Sequence, residues 1–202
     1  MNEVIAASAG SFGIAVTAMF AENAVLSRAL GVTRLVQMTG AGRRDRLAFG
    51  ILLCVTQLLA APAGWYASLF IADLPYRSAI RPAVYVFCVI CVCLLERLIF
   101  LLPFLPARKR LIRLQPMAAV NGCVLGAMMT AQTQSFSLSE SVLFGLGSGL
   151  GYMLSVFLVV EAQRRLRSRA VPDAFRGLPI TLIYIGILAM AIYGFTGHTV
   201  LL

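Results

Sequence analysis

Long uncharged stretches, separated by short polar segments, dominate the hydropathy pattern of the chain. Six such stretches cover residues 4–21, 47–72, 82–95, 114–139, 141–160 and 178–202. The third continues beyond Glu96, and the fourth becomes polar after Thr130. Because a membrane-spanning helix needs about 20 apolar residues, the pattern predicts an all-α integral membrane protein with six transmembrane helices.

The composition agrees with this class. Of the 202 residues, 60% are hydrophobic and 12% are charged, which excludes a soluble domain with a wetted exterior. Six spans leave no room for a soluble catalytic domain, so we expect a single transmembrane domain over 1–202. The formal net charge is +9. In a soluble chain this would point to nucleic acid, but basic residues are also typical of cytoplasmic loops in membrane proteins, so no nucleic-acid partner is needed.

Basic residues gather on alternate loops. The second loop holds only Arg77 and Arg81. The first, third and fifth loops hold the other fifteen: Arg28, Arg34, Arg43, Arg44, Arg46; Arg97, Arg108, Lys109, Arg110, Arg113; and Arg164, Arg165, Arg167, Arg169, Arg176. Because positive loops stay cytoplasmic, we expect a multi-pass protein of the inner (cytoplasmic) membrane with both termini outside.

The two halves of the chain are weakly similar. The sequence LAFGIL at 47–52 resembles VLFGLG at 142–147, an offset of 95 residues, and Asn23 and Asn121 are 98 apart. We interpret residues of about 1–106 and 107–202 as two copies of a three-helix unit. Since three is odd, the second copy is inverted in the membrane. Polar-interrupted spans mark the functional site of such folds, so spans 1 and 4 are predicted to be broken near the midplane.

Four polar residues are candidates for a polar path at the midplane. Asn23 and Asn121 are expected to cap half-helices at the breaks, or else to make ordinary interhelical hydrogen bonds. Glu22 either reaches the cytoplasmic interface or lines the path. Glu96 is either an interfacial anchor or a member of the same path. No nucleophile, base and orienting group occur together, so no catalytic residue is predicted.

Glycines and cysteines in the apolar stretches have structural interpretations. The alternating Gly145, Gly147, Gly149 and Gly151 follow no strand, which argues against a dinucleotide loop, and their four-residue pairs predict close helix contact. The cysteines at 54, 88, 91, 93 and 123 lie in apolar stretches. They are expected to be small buried side chains without disulfides.

Several motifs occur along the chain: Glu22-Asn23, Leu30-Gly31, Gln115-Pro116, Val120-Asn121, Val124-Leu125-Gly126, SESVLFGLGSGLG at 139–151, VPDAFRG at 171–177 and GFTG at 194–197. Together they resemble the RnfA/NqrE family, the six-helix membrane subunits of the Rnf and Nqr respiratory complexes. The resemblance covers essentially the whole chain and is most specific from Gln115 onward. Glu96 also matches a glutamate of the family.

The resemblance implies a non-catalytic subunit of an ion-translocating oxidoreductase complex. Such a subunit supports electron transfer across the membrane, coupled to Na+ or H+ translocation. The implied partners are the other subunits of the complex, among them a homologous subunit of opposite orientation, together with the lipid bilayer.

The resemblance also implies a 2Fe-2S cluster, shared with the homologous subunit and held by two thiolates from each chain. Here Thr33 and Gly122 occupy the two ligand positions, and Cys123 follows one residue later. A neutral threonine is a poor ligand and glycine offers no ligand atom. We therefore expect either no cluster or one with Cys123 as the only metal ligand from this chain.

Two other function classes remain open from the sequence. A stand-alone inverted-repeat transporter of an ion or small molecule would use Glu22 as its coupling carboxylate. A purely structural membrane adaptor is the third possibility. Flanking genes for flavoprotein and ferredoxin-like subunits would favour the complex, and an isolated gene would favour the transporter.

Overall fold

The computed structural model describes residues 2–73, 76–101, 108–166 and 172–196. Within these ranges the chain is all helical, as predicted, and has no strand. Its helices are α1 (Asn2–Met19), α2 (Val32–Thr39), α3 (Arg43–Phe70), α4 (Arg77–Phe100), α5 (Arg108–Ala119), α6 (Gly122–Thr133), α7 (Leu138–Leu166) and α8 (Leu178–Thr196), with a 3-10 turn at Asp173–Phe175.

Three of the described helices, α3, α4 and α7, are long and apolar enough to cross a bilayer. The pair α5 and α6 counts as a fourth if it is taken as one span, bent by 48° between the two helices. The apolar part of α8, Leu178–Gly194, is shorter. The described residues therefore show three or four apolar spans, and the six spans inferred from the sequence stay a prediction.

Helices α3 and α7 form the centre of the molecule and pack along each other. Helix α1 lies along α7, α5 lies along α3, and α6 packs against both α3 and α7, while α4 covers α3 and α5. Large apolar side chains remain on the outside, for example Phe87 and Phe157, each 66% exposed. An apolar exterior of this extent is expected for helices surrounded by lipid rather than water.

The glycines of α7 allow its neighbours to approach closely, as the sequence predicted. Gly147 and Gly151 face α1, where a Cβ atom on Gly151 would lie 2.8 Å from the carbonyl oxygen of Met19. Gly145 and Gly149 face α3, where a Cβ on Gly149 would lie 2.9 Å from the Sγ of Cys54. Each four-residue glycine pair therefore serves one helix contact.

The helical path is interrupted at the two positions where asparagines follow apolar stretches. Helix α1 ends at Met19 and α2 begins only at Val32, after a segment of turns in which Ala29 and Gly31 have positive φ angles of 55° and 75°. Between α5 and α6 the chain is extended at Asn121, with φ −121° and ψ 135°. We call residues 20–31 the first break and Val120-Asn121 the second break.

Candidate functional site

Asn23 organises the first break from the protein interior. Its side chain is fully buried. The Nδ2 donates to the carbonyl oxygens of Met19 (2.9 Å) and Gly151 (3.0 Å), while the Oδ1 accepts from the backbone N–H groups of Val25 (3.0 Å) and Leu26 (3.2 Å). The Oγ of Ser155 lies 3.2 Å from the same Oδ1. One side chain thus satisfies backbone groups freed by the break and ties them to α7.

Asn121 performs the corresponding task at the second break. Its Oδ1 accepts from the backbone N–H of Cys123 at 3.1 Å and caps α6, as predicted. Its Nδ2 is buried and has no hydrogen-bond partner within the described part of the chain. Asn121 is therefore less completely satisfied than Asn23.

The two breaks meet at Gly31. A Cβ atom on Gly31 would overlap the Asn121 side chain and would lie 2.9 Å from a ring carbon of Tyr152, whose hydroxyl donates to the Gly31 carbonyl at 3.0 Å. Farther along, Leu30 packs against Gly126 of α6 so closely that a Cβ there would overlap it. Gly31 is required twice, by its positive φ and by this close approach.

Cys123 lies beside this junction, but its thiol points into the core. The residue is fully buried. The Nε2 of Gln57 donates to its Sγ at 3.1 Å, and the Oγ of Ser148 lies 3.4 Å from the same sulfur. Thr33 and Gly122 are instead exposed, and a Cβ on Gly122 would lie 3.4 Å from the Gly31 nitrogen. The described residues therefore do not fit a pair of thiolate ligands, because the one thiol here faces away from the exposed positions.

All five cysteines are free, as expected from the sequence, but they are not all buried. Cys123 is buried, Cys54, Cys88 and Cys93 are half-buried, and Cys91 is exposed on α4. The expectation of burial is therefore wrong for Cys91. A small apolar side chain on a lipid-facing helix is removed from water by the lipid, so it does not have to pack inside the protein.

Glu22 lies in the first break and pairs with Arg28. The guanidinium of Arg28 also donates to the hydroxyl of Thr130 on α6. Glu22 and Thr130 help to line a cavity of about 380 Å³ between α1 and α6, together with Thr17 and Gln134. Glu22 therefore forms part of a cavity wall, and Arg28 joins the first break to α6.

Glu96 lies in a different part of the molecule. It is 1% exposed, so its side chain is not an anchor that reaches out from the helix surface. It faces Thr56 of α3 and Gln115 of α5, and neither carboxyl oxygen has a hydrogen-bond partner in the described residues. The Nε2 of Gln115 donates to the Cys93 carbonyl at 2.6 Å. No hydrogen bond within the described part links Glu96 to Glu22, Asn23 or Asn121.

Sequence reasoning missed the partners on α3 and α7 that hold the breaks together. Gln57, Ser148, Tyr152 and Ser155 make these contacts. One feature of the sequence did indicate a buried contact: Gln57 carries an amide within an uncharged stretch, where a polar side chain needs a hydrogen-bond partner. A second was the seven-residue spacing of Ser148 and Ser155, which places both on one face of α7.

These features define the class of the protein: an α-helical membrane protein with several apolar helices, two helix interruptions and a glycine-rich central helix. A family model described as "Rnf-Nqr subunit, membrane protein" matches residues 11–199. The chain therefore belongs to the Rnf-Nqr family of membrane subunits.

Relatives with functional names agree with this assignment. The chain is 30% identical to a subunit of the Na(+)-translocating NADH-quinone reductase from Nitrosomonas europaea, over 92% of this chain and 96% of the relative. It is 29% identical to a subunit of the ion-translocating oxidoreductase complex from Syntrophotalea carbinolica, over 91% and 95%. It is 28% identical to a subunit of the Na(+)-translocating ferredoxin:NAD(+) oxidoreductase complex from Acetobacterium woodii, over 91% and 95%.

Proposed function

We propose that this chain is a non-catalytic membrane subunit of a Rnf/Nqr-type complex. In that role it supports electron transfer across the inner membrane, coupled to translocation of Na+ or H+. The observation that carries the proposal is the match along nearly the whole chain to subunits of Na+-translocating and ion-translocating oxidoreductases. The buried polar side chains Asn23 and Asn121 are consistent with this role, because they hold the helix breaks together.

Two pairs of equivalent residues support an inverted repeat. Gly50 of α3 and Gly145 of α7 are 95 positions apart, and each faces the opposite helix: a Cβ on Gly50 would meet Met153, and one on Gly145 would lie 3.3 Å from the Gln57 carbonyl. Asn23 and Asn121 each accept from the backbone N–H two residues later. Each broken segment also packs on the central helix of the other half, as a pseudo-two-fold axis between α3 and α7 requires.

We propose that the polar path of this subunit runs at the junction of the two breaks, past Glu22, Asn23 and Asn121. Glu96 is a separate buried carboxyl between α3, α4 and α5. Its two oxygens lack hydrogen-bond partners in the described residues, and an unpaired ionisable group within a membrane helix bundle is more typical of ion or proton handling than of packing.

We propose that the chain contributes no ligand to an intramembrane 2Fe-2S cluster. In the family such a cluster is shared with a homologous subunit of opposite orientation, which we expect as a partner here too. Thr33 and Gly122 supply no thiolate, and the Cys123 sulfur is already engaged by Gln57 and Ser148. Asn121 begins a regular helix at Gly122, so a rotation of Cys123 to the exposed face would require rewinding α6 by about 100°.

Iron analysis and electron paramagnetic resonance of the purified complex test the cluster. We expect no signal from an intramembrane 2Fe-2S centre, and no change in iron content for Cys123→Ser. A stoichiometric cluster that disappears in Cys123→Ser would refute this proposal and make Cys123 a ligand. A cluster that survives the substitution would agree with the absence of a ligand from Cys123, but it would contradict the expectation that the complex holds no such centre.

We propose that both termini face outward and that the basic loops are cytoplasmic. The ion pairs of Asp45 with Arg110 (2.8 Å) and Arg113 (3.1 Å) join the start of α3 to the start of α5, so the first and third loops lie at one end of the bundle. Arg167 and Arg169 of the fifth loop lie outside the described residues. A reporter that works only in the cytoplasm should be inactive when fused to Leu202, and an active fusion would reverse the orientation.

Membership of a complex is tested by purification from native membranes. An affinity-tagged chain in mild detergent should co-purify with redox subunits, including a homologous membrane subunit. Inverted membrane vesicles from cells that lack the chain should show no NADH-dependent or ferredoxin-dependent uptake of Na+ or H+. A tagged chain that purifies alone, from cells whose ion uptake does not depend on it, would favour the stand-alone transporter, for which the cavity beside Glu22 is a candidate binding site.

A further inference from the structure

A second, larger cavity lies between the start of α3 and the end of α7. Its volume is about 520 Å³, which falls within the roughly 300–1,000 Å³ of small-molecule sites. It shares no lining residue with the cavity beside Glu22. The two cavities are therefore distinct, although Tyr152, whose hydroxyl donates to the Gly31 carbonyl at the junction of the breaks, lines the larger one.

One end of the cavity is cationic. Arg43 and Arg46 line it from α3, and Arg164 lines it from α7, so residues of the first and fifth loops meet around one opening. The one acidic residue in the lining is Glu161, whose carboxylate lies 3.5 Å from Arg164 and 3.9 Å from Arg165. Arg43 has no ion pair within the described part of the chain. The opening therefore carries an excess of positive charge.

The rest of the cavity is an apolar groove. Its lining on α7 includes Met153, Val156, Phe157 and Val160, which recur at the spacing of one helix face, and Leu47 faces them from α3. From Tyr152 to Arg164 the groove covers thirteen residues, or about 18 Å of helix. One leaflet of a bilayer core is of similar depth, about 15 Å. Leu47 and Phe157 are 49% and 66% exposed, so the groove opens sideways to the surroundings of the bundle.

We propose that this groove binds an anionic phospholipid. The headgroup phosphate lies between Arg43, Arg46 and Arg164, and one acyl chain follows the α7 face toward Met153. Charge complementarity selects an anionic head, because basic pockets at the ends of membrane helices bind such headgroups. The lateral opening selects a bilayer lipid over a water-soluble anion, since the ligand must enter between apolar side chains.

Binding can be measured as lipid-dependent thermal stability of the full-length protein, purified with its native partners in detergent. Phosphatidylglycerol should raise the melting temperature, and phosphatidylcholine and inorganic phosphate should not. In Arg43→Gln/Arg164→Gln the half-saturating phosphatidylglycerol concentration should rise more than tenfold, because each basic residue near a membrane surface contributes about fivefold to binding of anionic lipid.

The matched control is Arg44→Gln/Arg108→Gln. It removes the same number of positive charges, and neither residue lines the cavity or pairs with Glu161. It should behave like the unmodified protein. Val160→Trp leaves all three arginines in place and fills the groove, so it should also abolish the lipid effect.

Three results would overturn the proposal. Equal responses of the two double variants would mean that surface charge alone attracts the lipid. Stabilisation by inorganic phosphate at the same concentrations would identify a free-anion site. Cross-linking of a Val160→Cys variant to a neighbouring subunit in native membranes would mean that a protein helix, rather than a lipid, fills the groove.

Discussion

A Gly147→Leu variant should lose most of its folded protein. A Cβ atom at this position would lie 2.9 Å from both the Cα of Ala15 and the Cβ of Ala18, and it would overlap the Ala15 carbonyl. All three of these atoms belong to the α1 backbone or are fixed directly to it, so no rotamer change can relieve the overlap. Overpacking of this kind typically costs about 1–3 kcal/mol, and leucine should reach the upper end of that range.

Gly147→Ala isolates the effect of the Cβ atom, and Gly186→Leu on α8 is the matched control. A Cβ on Gly186 would meet no atom within 4 Å, so its replacement should leave stability unchanged or raise it slightly through better helix propensity. The measurement is the fraction of detergent-solubilised protein that elutes as a single species after heating. Similar melting of Gly147→Leu and Gly186→Leu would show that α1 does not depend on close packing against α7.

The glycine contacts and the break positions could be predicted because each has a local cause in the sequence. Glycines four residues apart share one helix face whatever the tertiary fold, which is why Gly145 and Gly149 could be paired. Polar side chains inside apolar stretches need partners, so Asn23 and Asn121 marked the interruptions. The partner helix of each glycine pair was not predictable, because it depends on the arrangement of distant spans.

The length of the first break was not evident from the sequence. Ala24, Val25 and Leu26 continue the apolar pattern after Asn23 and favour a helix, yet they are buried in turns. The backbone N–H groups of Val25 and Leu26 are held by the Asn23 side chain, which competes with helical hydrogen bonding. The hydropathy pattern also misplaces helix ends, since α3 begins at Arg43, four residues before the uncharged stretch. Arginine is a good helix former, and its charge excludes it only from the lipid interior.

The orientation of the Cys123 side chain shows which part of a ligand site a family resemblance can predict and which part it cannot. Sequence patterns determine neither the helix start nor the partners of the thiol, so Cys123 remained a candidate ligand in a shifted register. In the structure Asn121 caps α6, and regular helix geometry then turns the sulfur toward Gln57 and Ser148. Those two residues lie 66 and 25 positions from Cys123 along the chain, a separation at which a single sequence offers no pairing information.

Replacement of Asn23 by leucine should destabilise the protein more than the same change at Asn121. Leucine at position 23 leaves the N–H groups of Val25 and Leu26 without their acceptor and removes the donor to Gly151. Each buried polar group left unsatisfied costs about 1–3 kcal/mol, so we expect a loss of about 3–4 kcal/mol. At position 121 only the Cys123 N–H loses its acceptor, and the loss should be about 1–2 kcal/mol.

Ser27→Ala is the control for Asn23→Leu, because Ser27 is exposed in the same break and, among the described residues, its hydroxyl donates to the Ala21 carbonyl alone. Its replacement should change stability by less than about 0.5 kcal/mol. Thermal melting of the three variants in one detergent gives the order directly. If Asn121→Leu melts at the same temperature as Asn23→Leu or below it, the first break is not held by the Asn23 side chain, and the packing of α1 on the glycines of α7 must hold it instead.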